Sequence, residues 1–172
     1  TVSTTASLGI SDALATALME LRGFKAEDFA IFHPGGSLGR QLARVKSIMH
    51  KDNLPIINLS TTLYDALFKI IECKLGIAII TDDNNILSGI IVDGDLKRLL
   101  IKNKSAENIL SKSVADIMNK NPKVIYEDTL IGEALHIMEG KITNLVVVED
   151  TDKGKIPIGI VHIHDILKIK AF

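Results

Sequence analysis

The segment HPGGSLGR, residues 33–40, combines a histidine with three glycines and an arginine. Histidine titrates near neutral pH and can move protons, while glycines let the backbone approach a ligand closely. The spacing is not G-x-x-x-x-G-K-[ST], which argues against a nucleotide P-loop. From the residues alone, a catalytic loop, a phosphate cradle and a flexible hinge with an exposed histidine all remain open for His33.

An internal repeat lies C-terminal to this segment and organises most of the chain. Three blocks recur in the same order at offsets of 67–70 residues, which indicates a duplicated unit. They are VKSIM (45–49) and VADIM (114–118), TL-x-DAL and TL-xx-EAL from Thr62 and Thr129, and GIIVDGD (89–95) and GIVHIHD (159–165).

Each copy shows a helix, two short β-branched runs separated by a turn, and a second helix. The predicted fold is α/β (α+β), with a small sheet and two helices per repeat. A unit of about 60 residues has little core of its own, so we expect the copies to pair about a pseudo-twofold axis. The predicted boundaries are 1–43 for a preceding helical tail, 44–104, a linker at 105–112, and 113–172.

The preceding tail contains one amphipathic helix, because Leu14, Leu18 and Leu21 fall on one face. Ser11 or Asp12 is predicted to cap its start, and Gly23 its end. We expect this helix to complete a domain that lies upstream, or to pack on the residues C-terminal to it. The abrupt start at Thr1 suggests a piece of a longer protein.

The composition argues against two classes of partner. A net charge of −1 does not fit a nucleic-acid-binding surface, and no apolar run approaches the roughly 18 residues of a membrane span. The single cysteine, Cys73, allows no intrachain disulfide, which fits a reducing cytoplasm. No cluster with metal-ligand spacing is visible, so no metal is expected.

The repeat, through VKSIM, VADIM, GIIVDGD and GIVHIHD, resembles the paired cystathionine-β-synthase (CBS) domains. The resemblance covers about three quarters of the chain. The first forty residues, STTASLGISDALATALMELRGF and then HPGGSLGR, look like the end of a sugar isomerase (SIS) domain. The junction of the two resembles the arabinose-5-phosphate isomerase family.

That resemblance implies a parent enzyme that interconverts ribulose 5-phosphate and arabinose 5-phosphate, a precursor of the octulosonate in lipopolysaccharide or capsule. It makes His33 an active-site residue, since this isomerisation moves a proton between adjacent carbons. The lysine and glutamate that act with it in the family would lie upstream of Thr1, so this chain alone is predicted to be inactive. Ser3–Thr5 match the family's substrate region, although caps or disorder are the simpler interpretation.

The resemblance also implies a ligand, because CBS pairs often bind adenine nucleotides between the copies. Their usual signature places a Ser or Thr near phosphate and an Asp on the ribose. Here Val92 and His162 stand at the two hydroxyl positions, while Asp95 and Asp165 keep the aspartates. Helix capping by Asp95 and Asp165 is the alternative.

The predicted ligands are AMP, ADP, ATP or the cytidine-activated octulosonate, with no cofactor required. A homo-oligomer, dimer or tetramer, is expected from the pseudo-symmetric repeat. Two rival functions remain open: a non-catalytic nucleotide sensor, and a purely structural oligomerisation module that binds no ligand.

Overall fold

The computed structural model describes residues 1–25, 28, 42–102, 107–140 and 142–170. The chain divides into two compact units, residues 1–43 and 44–172. His33 and the rest of HPGGSLGR lie outside the described residues.

The first unit is built on helix α1, Val2–Leu21, which begins earlier than predicted. Thr1 is the N-cap and forms a capping box with Thr4, which satisfies backbone N–H groups of the first turn. The predicted cap at Ser11 or Asp12 is therefore wrong, and both residues lie inside the helix. Of the Ser3–Thr5 cluster, Thr4 takes part in this capping box, which confirms the capping interpretation for that residue.

The predicted end of α1 is confirmed. Gly23 has a φ of +60°, its N–H donates to the carbonyl of Glu20, and the N–H of Phe24 donates to that of Met19. These two bonds form a Schellman motif, which needs a left-handed residue where glycine stands.

The second unit contains the repeat, and both copies have the same order of elements. In copy one these are β1 Ile56–Asn58, α2 Leu63–Cys73, β2 Ile77–Thr81, β3 Leu87–Val92 and α3 Asp93–Lys102. After the short helix α4, Glu107–Leu110, copy two has β4 Val124–Ile125, α5 Ile131–Met138, β5 Asn144–Thr151, β6 Gly154–His162 and α6 Ile163–Lys170.

The two copies form two three-stranded sheets, β1-β2-β3 and β4-β5-β6. In each, the first strand runs parallel to the second, and the second and third form the predicted antiparallel hairpin. The predicted mixed α/β fold of paired small sheets is confirmed. Strands β1 and β4 were not predicted, and part of the predicted linker forms α4.

The copies exchange their leading segments, residues 45–50 and 114–119. His50 forms an antiparallel bridge with Ile160 of β6, and Asn119 forms the matching bridge with Ile90 of β3. Each bridge carries two backbone hydrogen bonds of 2.8–3.1 Å. Since each copy adds backbone to the other's sheet, the two are related by the expected pseudo-twofold axis.

The inner faces of both sheets share one apolar core. It joins Ile77, Ile79 and Ile90 of copy one to Val146 and Ile160 of copy two. All five are at most 9% exposed, and burying such side chains contributes about 1.5–3 kcal/mol each. A single copy would leave this face in water, which explains why the unit is paired.

Candidate functional site

A cavity of about 330 Å³ lies between the copies at the start of α3, and we call it the Asp95 cleft. Copy one contributes Val92 and Asp95 through the turn from β3 into α3. Copy two contributes polar side chains from its leading segment and the start of β5. The lining residues are Ile90, Val92, Asp95, Arg98, Asn119, Asn121, Lys123, Ile142, Thr143 and Asn144.

Asp95 is the third residue of α3, so it is not the N-cap that the capping interpretation required. One carboxylate oxygen accepts from the N–H of Val92 at 3.4 Å, as an acidic residue at this position does in a capping box. The other accepts from Arg98 at 2.5 Å. Its side chain remains 28% exposed, which leaves carboxylate surface facing the cleft.

Asn144 is a further lining residue that the sequence analysis missed. It is 6% exposed, and its Oδ1 has no hydrogen-bond partner among the described residues. An unpaired buried polar atom costs about 1–3 kcal/mol. A ligand that donates to this oxygen would remove that cost.

A second cavity of about 500 Å³ adjoins the first and shares Val92, Arg98, Thr143 and Asn144 with it; we call it the central cavity. The cavity is lined by the basic side chains of Lys74, Arg98, His162 and His164, and by the carboxylate of Asp93. The N-termini of α3 and α6 both lie at this cavity, where helix dipoles favour anions. Its chemistry therefore fits a phosphate or another anionic group.

His162 stands in the central cavity as a neutral imidazole. Burial lowers the pKa of His162 below its ordinary value, and the charge of neighbouring His164 lowers it further. Its Nδ1 lies 3.1 Å from the backbone N–H of His164 and accepts from it. The ring proton is therefore on Nε2, which makes His162 a hydrogen-bond donor where a hydroxyl usually stands.

Asp165, the equivalent of Asp95, is bound within the protein. Its Oδ2 lies 2.9 Å from Nε2 of His50, and its Oδ1 accepts from Lys168 at 3.1 Å. Burial alone would raise the pKa of Asp165, but the hydrogen bonds from His50 and Lys168 outweigh it and lower that pKa. The carboxylate is therefore ionised at neutral pH and 19% exposed.

The structure thus brings Val92 and Asp95 together in one cleft and places His162 in the adjoining cavity. Asp165 is not among the residues that line these two cavities, and it pairs with His50. Lys74, Arg98, His50 and Asn144 were missed as site residues. A comparison of the copies could have found His50, since it and Asn119 each come directly after the methionine of their block.

No group of three or more His, Cys, Asp or Glu side chains suited to a metal ion occurs among the described residues. Within the same part of the chain, none of the helices combines the length and apolar character needed to cross a bilayer.

Sequence comparison identifies the repeat and places it among known proteins. The family model described as "CBS domain" matches residues 45–102 and 114–171. The chain is 41% identical over 170 residues to arabinose 5-phosphate isomerase KdsD of Escherichia coli K12, covering 98% of this chain and 50% of that protein. KdsD of Pseudomonas aeruginosa is 42% identical over 171 residues, with 98% and 51% covered. The chain spans about half the length of the curated relatives it matches.

Comparison with solved structures finds the same architecture. The crystal structure of CBSX2 in complex with AMP superposes with a TM-score of 0.62 at 30% identity, covering 74% of this chain and 96% of that one.

Proposed function

The chain belongs to the CBS-domain family, and we propose that it is the regulatory part of an arabinose-5-phosphate isomerase that senses a nucleotide or nucleotide-sugar. The main observation behind this proposal is that the Asp95 cleft adjoins the central cavity, which Lys74 and Arg98 line. The identity to KdsD over nearly the whole chain supports the parent activity, conversion of ribulose 5-phosphate to arabinose 5-phosphate. The AMP bound to CBSX2 supports the ligand class.

In this proposal each of the two cavities binds a different part of the ligand. Asp95 accepts from the ribose hydroxyls, since a carboxylate can accept from both. The phosphate, or the anionic sugar of an activated octulosonate, extends into the central cavity toward Lys74, Arg98 and His162. Val92 cannot donate there, so the Nε2–H of His162 takes the place of one missing hydroxyl.

The whole protein carries the catalysis in this proposal, with His33 moving the proton and residues 1–43 ending the SIS domain. This chain by itself is inactive, cytoplasmic, and organised as repeats at 44–104 and 113–172 with a linker at 105–112. It needs no cofactor, and it binds neither nucleic acid nor membrane.

Nucleotide binding is tested by thermal unfolding of the chain with AMP, ADP, ATP and the cytidine-activated octulosonate. At a hundredfold excess over Kd, a ligand stabilises by about 2.7 kcal/mol, roughly 5–10 °C for a chain of this size. Asp95→Asn is expected to reduce this shift, because the ribose loses a charged acceptor. Asp152→Asn, an exposed residue of the β5–β6 turn, is the matched control and should keep it. The proposal fails if none of the four ligands moves the wild-type transition.

A second function, self-association, is favoured by an apolar surface on α2, the α2 patch. Tyr64, Phe68 and Ile71 are 52%, 58% and 69% exposed, and they lie on one face of the helix. The Tyr64 and Phe68 rings are in edge contact at 4.8 Å. We propose that a second copy of the chain covers this patch in a dimer or tetramer.

Phe68→Glu is expected to shift the chain to monomer, because it places a charge in the centre of the α2 patch. Sedimentation at micromolar concentration measures the change. Ile101→Glu is the matched control: Ile101 is 84% exposed on α3, and its replacement should leave the oligomer intact. A wild-type chain that is monomeric throughout this range excludes the self-association.

A further inference from the structure

Asp95 and Asp165 occupy equivalent backbone positions in the two copies. The reciprocal bridges place His50 beside β6 as Asn119 lies beside β3. Asp165 with Lys168 on α6 repeats the arrangement of Asp95 with Arg98 on α3. A symmetric pair would therefore offer two ribose sites.

The side chains break this symmetry at the leading segments. Asn119 uses its Oδ1 locally, where it accepts from the N–H of Asn121 at 3.0 Å. His50 instead reaches across to the other copy and contacts Asp165 at 2.9 Å. With Lys168 at the second oxygen, both oxygens of Asp165 have side-chain donors. At Asp95, Arg98 takes one oxygen, and the other has only the backbone N–H of Val92 at 3.4 Å.

The residues around Asp165 also differ from those around Asp95, and they are less suited to a polar ligand. Asn144 at the start of β5 lines the Asp95 cleft, whereas its equivalent at the start of β2 is Ile77, which is fully buried. Lys123, which directly precedes β4, likewise corresponds to Pro55, which directly precedes β1 and is buried. Two of the polar residues that line the Asp95 cleft therefore have apolar equivalents on the Asp165 side.

We infer that the chain binds one nucleotide per repeat pair, in the Asp95 cleft, and that His50 closes the equivalent site by occupying the carboxylate of Asp165. The imidazole donor takes the place that ribose hydroxyls take at Asp95. This inference rests on the proposed nucleotide binding and specifies which of the two sites performs it.

Calorimetric titration with AMP, and with CMP as a second probe, tests the inference. Wild type should bind one nucleotide per chain, and Asp95→Asn should weaken binding roughly tenfold or more, the loss expected for a hydrogen bond to a charged group. Asp165→Asn should leave the affinity unchanged within about twofold. His50→Asn, which installs the residue found at the equivalent position, should add a second, weaker site.

Two nucleotides bound to wild type, dependence on Asp165 instead of Asp95, or a single site in His50→Asn would each overturn the inference. Absence of binding in wild type and in His50→Asn would instead reject the nucleotide function, and this inference with it. A ligand-free readout checks the contact itself: His50→Asn and Asp165→Asn should each lower the melting temperature, and the double variant by less than their sum. Additive losses would contradict the pairing.

Discussion

In the full-length parent protein, His33→Ala is expected to lower kcat by roughly 10²–10⁴-fold, the usual contribution of a positioned acid–base group. The reaction exchanges a carbonyl and a hydroxyl between adjacent carbons, so a proton must leave one carbon and reach the next. The proposed isomerase function assigns that transfer to His33 in HPGGSLGR. KM should change much less than kcat if the residue acts in the chemical step.

The matched control for this prediction is His136→Ala. The side chain of His136, on α5, is 82% exposed and pairs with Glu139, the residue after the helix. Neither residue lines the two cavities, so the loss of His136 should not change kcat. Initial rates of arabinose 5-phosphate formation measure both variants. A normal kcat in His33→Ala would remove this histidine from the mechanism, while leaving the nucleotide proposal to its own test.

The sequence predicted the elements whose signals are local. β3 was expected at residues 87–92 and is Leu87–Val92, because a β-branched run bounded by turns leaves little choice. The second helix of each copy was expected for the same kind of reason. The predicted start of helix α1 was wrong, because Thr1 and Thr4 cap the helix upstream of Ser11.

Features that depend on contacts between residues distant in the sequence were not predictable in this way. Strands β1 and β4 have three and two residues, too few for a periodic pattern, and they exist because β2 and β5 pair with them. The pair of His50 and Asp165 joins residues 115 positions apart. The resemblance to CBS pairs pointed to Val92 and Asp95, which line the cleft, but only the fold shows that His50 contacts the carboxylate of Asp165.

The glycines that open the GIIV and GIVH blocks, Gly89 and Gly159, have a purely steric role that becomes clear from the exchanged segments. A Cβ on Gly89 would lie 2.7 Å from the carbonyl oxygen of Asn119 and 2.7 Å from the sulfur of Met118. On Gly159 it would lie 3.0 Å from both the carbonyl oxygen of His50 and the sulfur of Met49. Asn119 and His50 bridge to the opposite sheet, so a methyl group on either glycine pushes the bridging segment away from that sheet.

Gly89→Ala is therefore expected to destabilise the chain by about 1–3 kcal/mol, the usual cost of overpacking a well-filled site. Gly159→Ala should cost less, because its neighbours need to yield by a smaller distance. At roughly 2–4 °C per kcal/mol for a chain of this size, thermal or urea unfolding resolves both changes.

The matched control is Gly132→Ala, on α5, where an added Cβ meets nothing within 4 Å. Alanine forms helix better than glycine by up to about 1 kcal/mol, so this variant should be as stable as wild type or more so. If Gly89→Ala proved as stable as Gly132→Ala, the close approach of the 114–119 segment to β3 would be contradicted.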